Sequence, residues 1–215
     1  MKLLFTYLLS QSILIPIIIG LIRLRRLKGY QPFFILLIIG TLTETVGYIT
    51  IKRFGSNLVV VNIYVVLEWI FIVWQFHVWG LLRQKKWLFY LLLIVPLLLW
   101  IEEDVVLGNI NRIEPYFRFL YFLLIVLLSI NKINFTITHE SRNLLKNPQF
   151  ILCLGFIIYF VYMIVYFWAY YASVFERSVI TSNIIGFMAY VNVLTNIIYG
   201  IALWMIPAPQ KFTLR

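Results

Sequence analysis

Three ionisable side chains, Glu44, Glu68 and Arg118, stand inside stretches that are otherwise apolar or neutral: TLTETVGYIT, VVLEWIF and PYFRFLYFLL. In a dry setting a carboxylate can carry a proton or hold the cationic end of a solute, and a guanidinium can grip a carboxylate with two parallel hydrogen bonds. Each charge at hydrocarbon depth costs about 2.5–3.5 kcal/mol even on the lenient insertion scale, so each calls for a partner or a purpose. Arg118 is therefore expected to pair with Glu44 or Glu68. Such a pair either fixes helix register or lines a site, and a separation above about 6 Å from both carboxylates removes it.

Polar neighbours at helical spacing extend the group. Thr41 and Tyr48 share a face with Glu44 at i−3 and i+4, and Tyr64 stands one turn from Glu68. Near the C-terminus Asn192, Asn196 and Tyr199 fall on one helical face, with Thr195 beside them. These are either hydrogen-bonding groups between helices, worth about 1 kcal/mol or less each, or the wall of a cavity. Tyr159, Tyr162, Tyr166 and Tyr170 form a stripe whose phenols need partners in an apolar setting, which favours an inward-facing stripe. The predicted ligand-binding set is Glu44, Tyr48, Tyr64, Glu68, Arg118, Tyr166 and Asn192.

Other chemistries find no support. There is no nucleophile elbow, phosphate-binding loop, dinucleotide-binding glycine pattern or HExxH. Two histidines, His77 and His139, are too few for a histidine-based zinc site and are badly placed for a haem. The last apolar run has no lysine for a retinal Schiff base. A lone cysteine, Cys153, forms no disulfide within the chain and reads as packing. The expectation is a protein that is not an enzyme and has neither cofactor nor metal.

The elements that must hold these residues follow from composition. Of 215 residues, 63% are hydrophobic, 12% charged and 18% aromatic, more apolar matter than a soluble domain of this size can hide. Seven runs approach the roughly 20 residues a helix needs to cross a bilayer: Leu3 to Ile22, Pro32 to Ile51, Leu58 to Leu82, Trp87 to Ile101, Pro115 to Asn131, Pro148 to Ala172 and Ser182 to Ile206, the fourth and fifth being shortest. Pro32, Pro115 and Pro148 open their runs, where a missing N–H costs nothing. Asn147 is placed to cap the sixth. Pro207 and Pro209 stop the seventh, and Pro16 and Pro96 are expected to kink the first and fourth. The first run lacks a small-residue cleavage site and is followed by Arg23, Arg25, Arg26 and Lys28, so it reads as a span rather than a signal peptide. His77, beside Trp79, is expected at an interface, and Gln11 and Gln75 between helices. The whole chain reads as one all-α, seven-helix transmembrane domain.

The net charge of +10 lies almost wholly between the runs, which points to orientation in a membrane rather than to nucleic acid. One set of connections carries twelve basic residues (Arg23, Arg25, Arg26, Lys28, Arg83, Lys85, Lys86, Lys132, Arg142, Lys146, Lys211 and Arg215). The other carries five (Lys2, Lys52, Arg53, Arg112 and Arg177). The richer side is cytoplasmic by the positive-inside rule, which puts the N-terminus outside and the C-terminus inside. Glu102, Glu103 and Asp104 fall on the poorer side. The sequon Asn134-Phe135-Thr136 falls on the cytoplasmic side and is discounted. The connection after Lys132 is expected to prolong the fifth helix along the membrane surface. PxFIL at Pro32 and again at Pro148 hints at a three-plus-one-plus-three repeat of the kind found in sugar transporters of the SWEET type.

The stretches LEWIFIVWQFHVWG from Leu67, PYFRFLYFLLIVLLSINKIN from Pro115 and VNVLTNIIYGIAL from Val191 resemble a family of small seven-helix bacterial membrane proteins of the Bacteroidetes type. The resemblance covers most of the chain. It implies seven-helix topology and residence in a bacterial inner membrane, and it carries over no catalytic residue. The leading functional expectation is a receptor-like sensor with an outward-opening polar pocket for a small ligand, read by a separate cytoplasmic or membrane partner because the chain shows no output domain. Alternatives are a small-solute transporter with Glu44 or Glu68 as proton carrier, and a structural subunit of a membrane complex in contact mainly with lipid and protein.

Overall fold

The computed structural model describes residues 2–83, 85–108, 110–113, 115–139, 143–175 and 178–207. Arg142, Arg177, Pro209, Lys211 and Arg215 lie outside the described residues. Every regular element is helical. Helix α1 consists of Lys2–Ser10 and Leu14–Ile22 joined by a 3-10 turn at Gln11–Ile13. Helix α2 is Gln31–Phe54, α3 Leu58–Val78, α4 Lys86–Trp100, α5 Pro115–His139, α6 Pro148–Phe175 and α7 Val179–Trp204. A π-helical turn, Ile101–Val106, continues α4 without a break.

The punctuation in the sequence has clear local effects. Pro32 sits in the first turn of α2. Asn147 Oδ1 accepts the backbone N–H groups of Gln149 and Phe150 at 2.8 and 3.3 Å, capping α6. Ser178 accepts the N–H of Thr181 at 3.1 Å and starts α7 three residues before the expected Ser182. Helix α5 runs on through Lys132 to His139, so the start of the connection after the fifth apolar run prolongs that helix as expected.

Among the described residues six helices are long and apolar enough to cross a membrane: all but α4. Helix α4 is a 15-residue α-helix, and its π turn carries three acidic residues. The outward faces are apolar throughout; Ile22, Leu42, Leu98 and Trp168 are each more than half exposed. Only a lipid environment covers such surfaces at low cost.

Contacts sort the helix ends into two groups. At the basic end, Arg23 donates to the carbonyls of Trp204 and Ile206 and lies over the Trp204 ring, tying the end of α1 to the end of α7. Gln75, buried near the end of α3, donates to Gly29 O at 2.7 Å and accepts from Phe33 N at 3.0 Å, holding the start of α2. Lys132 donates to Trp79 O at 3.4 Å. At the opposite end, Asn62 and Tyr171 reach the carbonyls of residues 110–113 just before α5. The core toward the basic end is an aromatic stack in which Phe33, Phe76 and Phe156 meet edge-on or tilted, with Trp79 and Tyr30 beyond.

Candidate ligand-binding site

The site starts from a proline. Pro16 has no N–H for the carbonyl of Ser12, and its ring crowds that carbonyl, so the chain tightens to a 3-10 turn at Gln11–Ile13. Ser10 and Ser12 stand on either side of that change of pitch. Ser12 Oγ accepts from Asn196 Nδ2 of α7 at 2.8 Å, and the same amide donates to Asn192 Oδ1 at 3.3 Å.

The first half of the site is a crevice of about 170 Å³ between α1, α2 and the start of α3. Tyr7, Ser10, Glu44, Tyr48 and Asn57 supply its polar wall. Tyr7 and Tyr48 stack at 4.3 Å with planes 20° apart, and Lys52 Nζ lies 4.5 Å from the Tyr48 ring centre. Glu44, Tyr48 and Lys52 are successive i+4 neighbours, so carboxylate, ring and ammonium form a ladder up one face of α2.

The second half is a cavity of about 60 Å³ among α1, α2, α3, α6 and α7. That is room for a few waters and well short of the roughly 300 Å³ at which drug-sized ligand pockets begin. Glu68, Tyr64, Tyr159, Asn192, Thr195, Asn196 and Tyr199 supply its polar lining, and Phe33, Ile72, Phe156 and Phe160 its apolar lining. Glu68 is buried; its Oε2 accepts from Tyr121 Oη at 3.0 Å and its Oε1 from Tyr64 Oη at 3.4 Å. Gly155 lets Tyr199 in: a Cβ there would fall 2.6 Å from the Tyr199 ring.

Tyr64 borders the cavity and lies, along α3, between the residues that line the two spaces. Val61, one turn before it, lines the crevice, and Glu68, one turn after it, lines the cavity. On α2 the septum is Gly40, whose added Cβ would lie 3.3 Å from Tyr64 Oη and 2.8 Å from Ile13 Cδ1. The expected single pocket is thus two compartments, with Glu44 and Tyr48 in one and Tyr64, Glu68 and Asn192 around the other.

Arg118 and Tyr166 line neither compartment. Arg118 is buried, donates to Asn62 Oδ1, and its guanidinium lies 5.3 Å from the Phe167 ring centre. No ion pair within 4.0 Å joins it to Glu44 or Glu68. Asn62 in turn donates to Ile110 O and Arg112 O, both at 2.8 Å, so one amide holds the loop and orients the guanidinium. The tyrosines of the stripe on α6 meet different surroundings. Tyr159 lines the cavity, Tyr162 donates to Ile184 O, and Tyr166 is half-buried edge-on to Phe167. Tyr166 lies seven residues past Tyr159, about 10 Å further along the helix, and so beyond the cavity.

Sequence reasoning gave no role to Tyr121, Asn62 or Glu103. Glu103 is buried on the π turn and accepts Tyr116 N at 3.1 Å and Phe117 N at 2.8 Å, capping α5 where its unpaired N–H groups emerge. The signal for it was three consecutive acidic residues ahead of a helix opening on proline. No known family model, curated protein or solved structure matches this chain.

Proposed function

We propose that this protein is a receptor-like membrane sensor that takes a small polar solute into the crevice beside Glu44 and Tyr48. The observation that carries the reading is the stacking of the two compartments along α1, α2 and α3, with Tyr64 between them and an aromatic core toward the basic end. A solute seated against Glu44 presses on Val61, one turn before Tyr64 on α3, and Tyr64 bonds to Glu68. Occupancy thereby changes the packing of three helices, and a separate partner reads the change at the basic end.

In this reading α4 with its π turn completes a seventh crossing. The N-terminus lies outside, and the basic end faces the cytoplasm and the anionic headgroups of a bacterial inner membrane. The twelve-to-five distribution of basic residues supports that orientation.

A second reading, transport of the same solute with a carboxylate as proton carrier, is favoured by the buried carboxylate of Glu68 at the cavity. The test screens small amines, amino acids and carboxylic acids against the protein in nanodiscs by thermal shift. A true crevice ligand loses its effect in Glu44→Gln and weakens about tenfold in Tyr48→Ala. A ligand indifferent to both substitutions disproves the crevice as the site. Uptake of that ligand into proteoliposomes assigns transport, and binding without uptake assigns sensing.

A further inference from the structure

We propose that the cavity at Glu68 is an ion site, in which Glu68 takes up one small monovalent cation, a proton or sodium, from the crevice past Tyr64. Glu68 is 93% buried by its 7% relative exposure, and both of its identified hydrogen-bond donors are neutral phenols. Arg118, one turn before Tyr121 on α5, is close enough to act on that charge, but its hydrogen bond goes to Asn62. A carboxylate at this depth without an ion pair is costly unless a positive charge joins it.

Hydrogen bonding makes the second, independent case. Tyr199 is 8% exposed, makes ring contacts with Phe33 and Phe156, and borders the cavity, and among the described residues its hydroxyl has no hydrogen-bond partner. Tyr159 borders the same space, and its hydroxyl likewise has none among the described residues. Buried hydroxyls of this kind are satisfied by water or an ion, and about 60 Å³ holds a few such particles. The available donor atoms are oxygens, which suit a proton on a water cluster or a hard cation and disfavour a soft metal.

The ionisable groups that bear on Glu68 are Tyr64 on its own helix, Arg118 and Tyr121 from α5, Tyr159 from α6 and Tyr199 from α7, with Glu44 of α2 across the septum. The crevice offers a route because Glu44 lies on one side of Tyr64 and Glu68 on the other. The inference serves sensing and transport alike, and its failure leaves solute binding at the crevice untouched.

The experiment uses full-length protein in nanodiscs, as wild type, Glu68→Gln and Glu44→Gln. Infrared spectra across pH follow the protonated-carboxyl stretch. Thermal unfolding compares sodium chloride with choline chloride at constant ionic strength. A proton site gives a carboxyl band that titrates in wild type and E44Q and is missing in E68Q. A sodium site gives a saturable rise in the unfolding midpoint that E68Q abolishes. If Glu68 is ionised throughout and sodium has no effect, the proposal is overturned, and Arg118 is the compensating charge. Should E68Q not fold, Tyr121→Phe, which deletes the 3.0 Å donor, is expected to move the band's titration or the sodium affinity about tenfold. A Y121F protein identical to wild type in both would also overturn the proposal.

Discussion

Arg118 gives its guanidinium to the Asn62 side-chain oxygen, and Asn62 spends its amide on two carbonyls of the segment leading into α5. A neutral amide thus holds the one cation buried in the upper part of α5, and it does so by fastening a loop at the same time.

Replacing Asn62 with Leu leaves Arg118 and two carbonyls without their partner. The expected loss is about 2–3 kcal/mol, the range for a hydrogen bond to a charged group. Unfolding of the reconstituted protein measures it. The double variant N62L/R118L should recover part of the loss, because the stranded charge is gone.

Glu103 caps α5 through two backbone N–H groups. Glu103→Ala should cost about 1 kcal/mol, the usual value of an N-cap, while Glu103→Gln should retain part of it because the amide oxygen still accepts. Hydrogen exchange of the first turn of α5 resolves the effect locally; unchanged protection at Tyr116 and Phe117 would refute it.

Gly40→Val adds branched bulk where even a Cβ would lie 2.8 Å from Ile13 Cδ1. The Ile13 side chain can yield, so global stability should change by no more than about 1–2 kcal/mol. Exchange between crevice and cavity should slow at least tenfold, read from the rate at which the Glu68 signal follows a jump in external pH or sodium.

Gln75 is fully buried and bridges Gly29 O and Phe33 N. Gln75→Leu is close in size but strands both backbone groups, at an expected cost of about 2–4 kcal/mol for two unsatisfied polar atoms. A chemical-denaturation curve indistinguishable from wild type would contradict that role.

The helical runs were legible because apolar length and proline position act locally. Pro32, Asn147 and Pro148 mark helix starts in the sequence and do so in the structure. Pro16 announced a disturbance, and the 3-10 turn at Gln11–Ile13 is its form. Glu44 and Glu68 were legible as residues needing protein around them, since apolar runs make carboxylates conspicuous. Their division between two compartments was not. It depends on Gly40 being small enough to admit the Tyr64 hydroxyl, a contact between α2 and α3 that no single-helix pattern encodes. Arg118 was matched to a carboxylate on charge alone, whereas Asn62 sits within reach, and uncharged residues give no such advance signal. The π turn hid Glu103, because a shift of one residue in helical phase turns an apparently exposed acidic cluster inward.

Arg23 clasps the last carbonyls of α7 at the basic end, and Gln75 locks α2 to α3 there as well. Toward the other end, α1 faces α2 across the crevice, with the Tyr7–Tyr48 stack as the contact between their rings. Pro16 and the 3-10 turn at Gln11–Ile13 interrupt the regular ladder of α1 between these two contacts, so a bend there would part Tyr7 from Tyr48 while the end held by Arg23 stays in place.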